Sequence, residues 1–320
     1  LKTANTPALA TFYAYLTSGC NCACQHCWFV PERQSQTLGD DALLPPESLR
    51  HAIIQGLALG LNSIKWTGGE PTLNPHFSDF LYLQHEFNLD GSIETNGMLV
   101  TDELAFLMAE TGVSRVSVSL DGAVAATHDY IRGVEGGFEK TLNGVKALVA
   151  AGYDPELILT LQHSNVLELN EFFSLANDLG AGSVKLNIMQ PVLRGAALAE
   201  VGEGLSIQEI IELSNRLQSE WSEKLGIPVQ LDVPMAFRPV ASIISGEHAG
   251  ACGISHVLGI LPRGDYALCG VGQHVSALAM GKVMTSNLAD IWKEHPVLLQ
   301  LRDGLPDKLQ GICRDCLMKS

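Results

Sequence analysis

The chain has 320 residues, is 46% hydrophobic and carries a formal charge of −15 at pH 7. That length and apolar content suffice for one large domain plus a small one, and the acidic balance excludes sequence-independent nucleic-acid binding, which needs a basic footprint to release counterions. No apolar run is long enough to span a bilayer, and Leu1-Lys2-Thr3-Ala4-Asn5 lacks the basic-then-apolar layout of a signal peptide, so the expected location is cytoplasmic, with no membrane partner.

From Phe12 to about Ile188, β-rich runs alternate with amphipathic helical patterns. The expected strands run from Phe12 to Thr17, Ser63 to Thr67, Gly91 to Thr95, Arg115 to Ser119, Leu157 to Leu161 and Ser183 to Ile188. The expected helices run from Pro46 to Leu59, with Leu49, Ile53, Ile54 and Leu57 on one face, then His76 to Phe87, Asp102 to Glu110, Gly137 to Ala151 and Glu168 to Leu179. Six strands separated by five helices predict a parallel sheet, because parallel neighbours need crossover connections. The pattern alone is equally compatible with a doubly wound open sheet. A long helix is expected from Ser206 to about Leu225, then a strand from Val229 to Val233 and a Pro/Gly-containing stretch through Gly253. No internal repeat or low-complexity tract is present.

The eight cysteines lie at the two ends of the chain, with none between Cys27 and Cys252. A disulfide framework would spread them through a small secreted domain; this distribution points to metal sites in a reducing compartment. Cys20, Cys24 and Cys27 have C-x3-C-x2-C spacing. Three thiolates on a four-iron cluster leave one iron for another ligand, whereas Cys22 inside the loop keeps open a closed zinc site or a fully ligated electron-transfer cluster. Gly68-Gly69-Glu70-Pro71 follows the second strand. Glycines at a strand end admit a ligand close to the backbone, and a carboxylate can accept from an ammonium group. Glu94-Thr95-Asn96-Gly97 closes the third strand and Ser119-Leu120-Asp121-Gly122 the fourth, with Arg132 soon after.

Together these motifs resemble the radical S-adenosylmethionine (SAM) enzymes. The resemblance implies a six-stranded partial (β/α)6 TIM-like barrel over 1–200, with chemistry at the C-terminal strand ends, a bridging region over 201–248, and a small iron–sulfur domain over 249–320. It implies that Cys20, Cys24 and Cys27 hold a 4Fe–4S cluster bound to SAM. Gly68, Gly69, Glu70 and Pro71 then meet the methionyl amine, Thr95, Asn96 and Gly97 the ribose side, Ser119 and Arg132 the methionine carboxylate, and His26 and Met189 further parts of SAM. Cys252-x11-Gly264-x4-Cys269, with the stretch from Gly259 to Leu268 read as a hairpin around an Arg-Gly-Asp turn, and Cys313-Arg314-Asp315-Cys316 resemble the auxiliary-cluster domains called SPASM and twitch. Cys252, Cys269, Cys313 and Cys316 are the expected ligands of one or two auxiliary 4Fe–4S clusters, and a zinc ribbon is the bland alternative. The sequence stops at Ser320, before the further cysteines of a full SPASM domain. Either a twitch-like domain holds one cluster with all four cysteines, or the sequence is cut within a SPASM domain, with Cys252 and Cys269 on one cluster and Cys313 and Cys316 on another; the abrupt ending favours truncation.

Enzymes of this layout mostly modify peptides, so the expected activity is maturation of a ribosomally made precursor peptide by a 5′-deoxyadenosyl radical. Sulfatase-type maturation is the nearest rival, but it places an aspartate after the cysteine equivalent to Cys269, where this chain has Gly270. Oxidation of a small-molecule cofactor or sugar and a non-catalytic iron–sulfur carrier complete the alternatives. About eleven residues precede the first strand, leaving no room for a fused leader-binding module. A separate small leader-binding protein is therefore expected, together with an electron donor such as flavodoxin or ferredoxin. No acid or base stands out; Gln190, Arg194, His163 and Asp232 lie near expected strand ends.

Overall fold

The computed structural model describes residues 6–29, 33–34, 43–217, 226–233, 253–305, 307–311 and 314–315. The fold is mixed α/β, built on one large sheet. In chain order its strands are β1 (Thr11–Tyr15), β4 (Ser63–Thr67), β5 (Asp90–Thr95), β6 (Val113–Ser119), β7 (Glu156–Leu161), β8 (Ser183–Ile188), β9 (Val229–Asp232), β10 (Val257–Ile260), β11 (Asp265–Ala267) and β12 (Ala279–Lys282). Two short strands, β2 (Gly19–Cys20) and β3 (Arg33–Gln34), pair apart from it. The sheet order is β12-β11-β10-β1-β4-β5-β6-β7-β8-β9, parallel from β10 to β9 and antiparallel from β10 through β12.

All six sequence-expected strands are present, as consecutive parallel neighbours from β1 to β8. They form the middle of a ten-stranded sheet. The expected hairpin is also present: Leu261 N–H donates to Asp265 O at 2.8 Å and Gly264, with φ of +72°, makes the turn. Rather than standing apart, that hairpin joins the sheet, because β10 pairs with β1 in the register Thr11↔Val257 to Ala14↔Ile260.

Strand β4 alternates between two environments. In β4, Ile64 and Trp66 are fully buried on the helix side, while Ser63, Lys65 and Thr67 face the other way. Helix α1 (Pro46–Leu57) shows how the helices cover the apolar side. Pro46 opens it, Glu47 complements its positive end, and Leu49, Ala52, Ile53 and Gly56 form the buried stripe. The sequence reading of this face is half corrected: Ile54 and Leu57 are 56% and 41% exposed. Gly56 takes the central position because a Cβ there would lie 2.9–3.0 Å from Leu61 and the Phe12 ring, so the small residue lets α1 sit closely on β1.

The remaining helices of the alternating region are α2 (Phe77–Glu86), α3 (Asp102–Glu110), α4 (Ala125–Arg132), α5 (Gly137–Ala150) and α6 (Leu169–Asp178), followed by α7 (Arg194–Glu200) and α8 (Ile207–Arg216). The long helix expected from Ser206 begins as anticipated with a reciprocal Ser206–Glu209 capping box, and its expected continuation over 218–225 lies outside the described residues. After β12 come two helices, Leu288–Glu294 and Pro296–Gly304. They tie the C-terminal part to the start of the chain: Trp292 Nε1 donates to Pro7 O at 2.8 Å, and Leu288 N–H donates to Gln55 Oε1 at 2.8 Å. Among the described residues no helix is long and apolar enough to cross a membrane.

Candidate active site

The C-terminal ends of the parallel strands surround a cavity of about 360 Å³. Tyr15 of β1, Thr67 of β4, Thr95 of β5, Ser119 of β6, Thr160 of β7 and Asn187 of β8 all reach it. Cys20, Cys24 and Cys27 line it from the loop after β1, as does Cys22. Cys20, Cys22 and Cys24 are buried and Cys27 is partly exposed. Cys22 Sγ lies 3.6 Å from Met98 Sδ and also hydrogen-bonds with Cys20 and Cys24. Among the described residues no group of three or more His, Cys, Asp and Glu side chains is placed to hold a single metal ion. Of the expected auxiliary ligands, Cys269 is described and partly exposed, while Cys252, Cys313 and Cys316 lie outside the described residues.

The cysteine loop and the Gly68–Pro71 turn are one interlocked unit. Gly69 N–H donates to Thr17 O and Glu70 N–H to Gly19 O, both at 2.9 Å, so the two segments run against each other backbone to backbone. Glu70 is buried and takes its bonds from within the protein. Its carboxylate accepts from Thr72 Oγ1 at 2.6 Å, Thr95 Oγ1 at 2.7 Å and Asn96 N at 2.8 Å. Burial pushes its carboxyl up, and these bonds from Asn96, Thr72 and Thr95 pull the other way. Glu70 thus fixes the Thr95–Asn96 turn, while still lining the cavity. Asn96 in turn donates to Asn21 Oδ1 at 2.6 Å, and Gly97 adopts φ of +76°, which favours glycine.

Arg132 lines the cavity, and the fully buried Asp121 pairs with it from behind. Arg132 Nε lies 2.7 Å from Asp121 Oδ2, and Arg132 Nη1 donates to Cys24 Sγ at 3.5 Å. Asp121 also accepts from Thr160 N at 2.8 Å and lies 3.6 Å from His26 Nε2. Burial raises the Asp121 carboxyl, but Arg132 and His26 outweigh it and hold the group below the usual carboxylate range. A hydrogen bond with Cys22 brings the Cys24 thiol down to about 5 against the cost of burial, with Arg132 and His26 assisting. His26 lines the cavity, and its Nδ1 lies 3.3 Å from Gln162 Nε2.

The structure does not bring every expected residue to the cavity. Pro71 and Gly97 support the turns behind its lining. Met189 is buried outside the lining, with its methyl 3.0 Å from where a Cβ on Gly204 would stand. It follows directly after β8, between Ile188 and Gln190, which do line the cavity. Sequence reading missed Asp121, which is fully buried, and Asn187, whose Oδ1 is buried without a hydrogen-bond partner. Asp121 stood in a quoted motif but read as a turn residue; its pairing with Arg132 is the signal that separates it from one.

The Radical SAM superfamily matches residues 14–175. The chain belongs to the radical SAM superfamily. An iron–sulfur cluster-binding SPASM domain matches residues 252–317. An AdoMet-dependent heme synthase from Methanosarcina barkeri is 29% identical over 98% of this chain and 90% of its own length. Mycofactocin maturase MftC from Mycobacterium ulcerans is 29% identical over 94% of this chain and 78% of its own. Among solved structures, Streptococcus suis SuiB bound to S-adenosylmethionine superposes with a TM-score of 0.77 at 14% identity, covering 98% of this chain and 71% of that one. The anSMEcpe structure with bound AdoMet gives 0.75 at 17% identity, covering 97% and 84%. These two share the fold with this radical SAM enzyme, whose cofactors are a 4Fe–4S cluster and SAM, with auxiliary iron–sulfur binding in the SPASM domain.

The residues present fit those groups. Three soft thiol donors, a buried guanidinium and an orphaned acceptor at Asn187 share one polar cavity. A titratable group behind it gives a measurable pH dependence. His128 Nδ1 accepts from Asp121 N–H at 3.2 Å, and burial with the nearby Arg132 charge lowers its pKa to about 4. The unfolded chain takes up that proton near pH 6.5, so the contribution is complete above 6.5 and is lost as pH falls towards 4. Its full size is at most about 3 kcal/mol. Urea unfolding across this window should show a shallower loss of stability in His128→Gln, which keeps an acceptor and does not titrate; an unchanged slope would refute the assignment.

Proposed function

We propose that this radical SAM enzyme is a peptide maturase. Bound SAM supplies a 5′-deoxyadenosyl radical on reductive cleavage, and the protein's task is to hold the substrate hydrogen beside it and keep water out. In this reading Cys20, Cys24 and Cys27 hold the SAM-binding cluster. Gly68, Gly69 and Glu70 shape the turn that receives the methionyl amine, with Thr95 and Asn96 on the ribose side. Ser119, Arg132 and His26 complete the wall. The six strands β1 and β4 to β8 act as a partial barrel over 1–200, with a bridge over 201–248 and the auxiliary-cluster domain over 249–320, where Cys252, Cys269, Cys313 and Cys316 are the ligands. The enzyme works in the cytoplasm with a flavodoxin- or ferredoxin-type donor.

The observation that carries the peptide reading is the likeness to mycofactocin maturases over 94% of the chain, including the C-terminal domain. A sulfatase-type mechanism needs a carboxylate at position 270. There the Gly270 N–H donates to the Tyr15 hydroxyl at 2.7 Å, and any Cβ would lie 2.6 Å from the Tyr15 ring. A separate small protein captures the leader. Extended leaders commonly add to a sheet edge, and the two outer strands here, β9 and β12, are four residues each, short templates for a long segment. The heme synthase likeness over 98% of the chain favours a second reading, a heme precursor as substrate.

The deciding experiment offers the reduced, reconstituted protein SAM with either a candidate precursor peptide or an iron porphyrin precursor. Formation of 5′-deoxyadenosine matched one to one by a mass change in the peptide supports maturation. A matched change in the porphyrin alone overturns it.

A further inference from the structure

Helix α4 is joined to the cysteine loop on both sides of Cys24. Ala23 N–H donates to Arg132 O at 2.9 Å, Gln25 N–H donates to Ile131 O at 3.0 Å, and Gln25 Nε2 donates to Tyr130 O at 2.8 Å. Directly after the helix, Gly133 takes φ of +62°, and a Cβ there would sit 2.9 Å from Ala23 O. The backbone of residue 132 therefore has a fixed distance to Cys24. Its side chain turns back along the same path, with Nη1 at 3.5 Å from Cys24 Sγ and Nε at 2.7 Å from Asp121 Oδ2. Asp121 is itself anchored by Thr160 N–H at 2.8 Å, and its backbone O accepts from Asn165 Nδ2 at 3.1 Å. Arg194, another cation at this loop, donates to Cys24 O at 3.3 Å.

We propose that Arg132 is a positioning residue of the cysteine loop that sets the reduction potential of the cluster held there, and that Asp121 trims its effect. The inference rests on the reading of Cys24 as a cluster ligand. Hydrogen bonds to ligand sulfurs and net charge near the site are what tune such potentials. A guanidinium N–H aimed at Cys24 Sγ stabilises the state that has gained one electron from the donor, and the buried Asp121 carboxylate opposes it. The two residues therefore pull in opposite directions. The carboxylate of SAM, the partner expected for Arg132 from sequence, would meet a guanidinium already beside Cys24 Sγ and the Asp121 carboxylate, with its Nε buried and making no hydrogen bond.

The test is an EPR-monitored redox titration of the full reconstituted chain with dithionite, without SAM. Arg132→Lys keeps the charge but loses the planar fork, and should lower the midpoint potential by about 60 mV, tenfold in the one-electron equilibrium. Asp121→Asn should raise it by a similar amount. A merely structural role does not give opposite signs. Unchanged potentials in both variants, with normal iron content, overturn the inference, as does weakened SAM binding in Arg132→Lys with no shift in the SAM-free potential. Should Arg132→Lys fail to load iron, Asp121→Asn decides alone: a rise supports the proposal and no rise overturns it. Full iron loading in Cys24→Ala would instead strike the reading beneath it.

Discussion

Alanine at Cys24 is expected to bring formation of 5′-deoxyadenosine down to the background of iron-free protein. Cys24 is buried against the cavity, holds a thiol brought down to about 5, and receives the Arg132 guanidinium. The loop backbone is fastened on both sides of it, at Ala23 and Gln25. The loss should exceed the roughly 10- to 100-fold that removal of an outer-shell partner costs a metal site. Cys20→Ala and Cys27→Ala should behave alike, while Cys22→Ala should retain cleavage. The measurement is chromatographic quantitation of 5′-deoxyadenosine with iron analysis on the same samples. Full activity in Cys24→Ala, or loss confined to Cys22→Ala, would defeat the ligand assignment.

The second large effect is expected at Gly69. A Cβ there would stand 1.9 Å from Gly19 O and 2.5 Å from Gly19 C, so the obstacle is backbone and cannot rotate away. The same two strands of chain are held by Gly69 N–H to Thr17 O and Glu70 N–H to Gly19 O. Alanine must therefore separate the turn from the cysteine loop, at a cost of about 3 kcal/mol or more. For a chain of this size that is a fall in Tm of roughly 5 to 10 °C. SAM affinity should fall with it, because Glu70 and the Thr95–Asn96 turn move together. Gly304→Ala is the control: the nearest atom to its Cβ is Lys308 Cβ at 3.9 Å, at the end of a helix, where alanine gains up to about 1 kcal/mol. Calorimetry showing Gly69→Ala as stable as Gly304→Ala would overturn the argument.

What the sequence disclosed follows the physics of each signal. The ends of β4, β5 and β6 were legible because those runs stop at Gly-Gly, Asn-Gly and Asp-Gly, and all six expected strands formed. Helix α4 was not anticipated, because its buried positions are His128, Ile131 and Arg132, and two of those three are polar. A helix that buries charge for a site carries no apolar stripe. In α1 the period was right but the face was shifted, since Ala52 and Gly56 are too small to register as a stripe beside Ile54 and Leu57. The partners of Glu70 were beyond reach for another reason: Thr95 and Asn96 meet it only once β4 and β5 lie side by side.

The pairing of β10 with β1 has a consequence for biosynthesis. The ribosome delivers β4 soon after β1, so one edge of the first strand is satisfied early. Its other edge waits for Val257 to Ile260. At ordinary elongation rates of about 5–20 residues per second, that wait lasts roughly ten to fifty seconds. Throughout it, Thr11 to Ala14 present unpaired backbone to the cell, an invitation to intermolecular strand pairing. Slow translation of the middle of the gene lengthens the hazard, and chaperone cover of the nascent N-terminal strand shortens it.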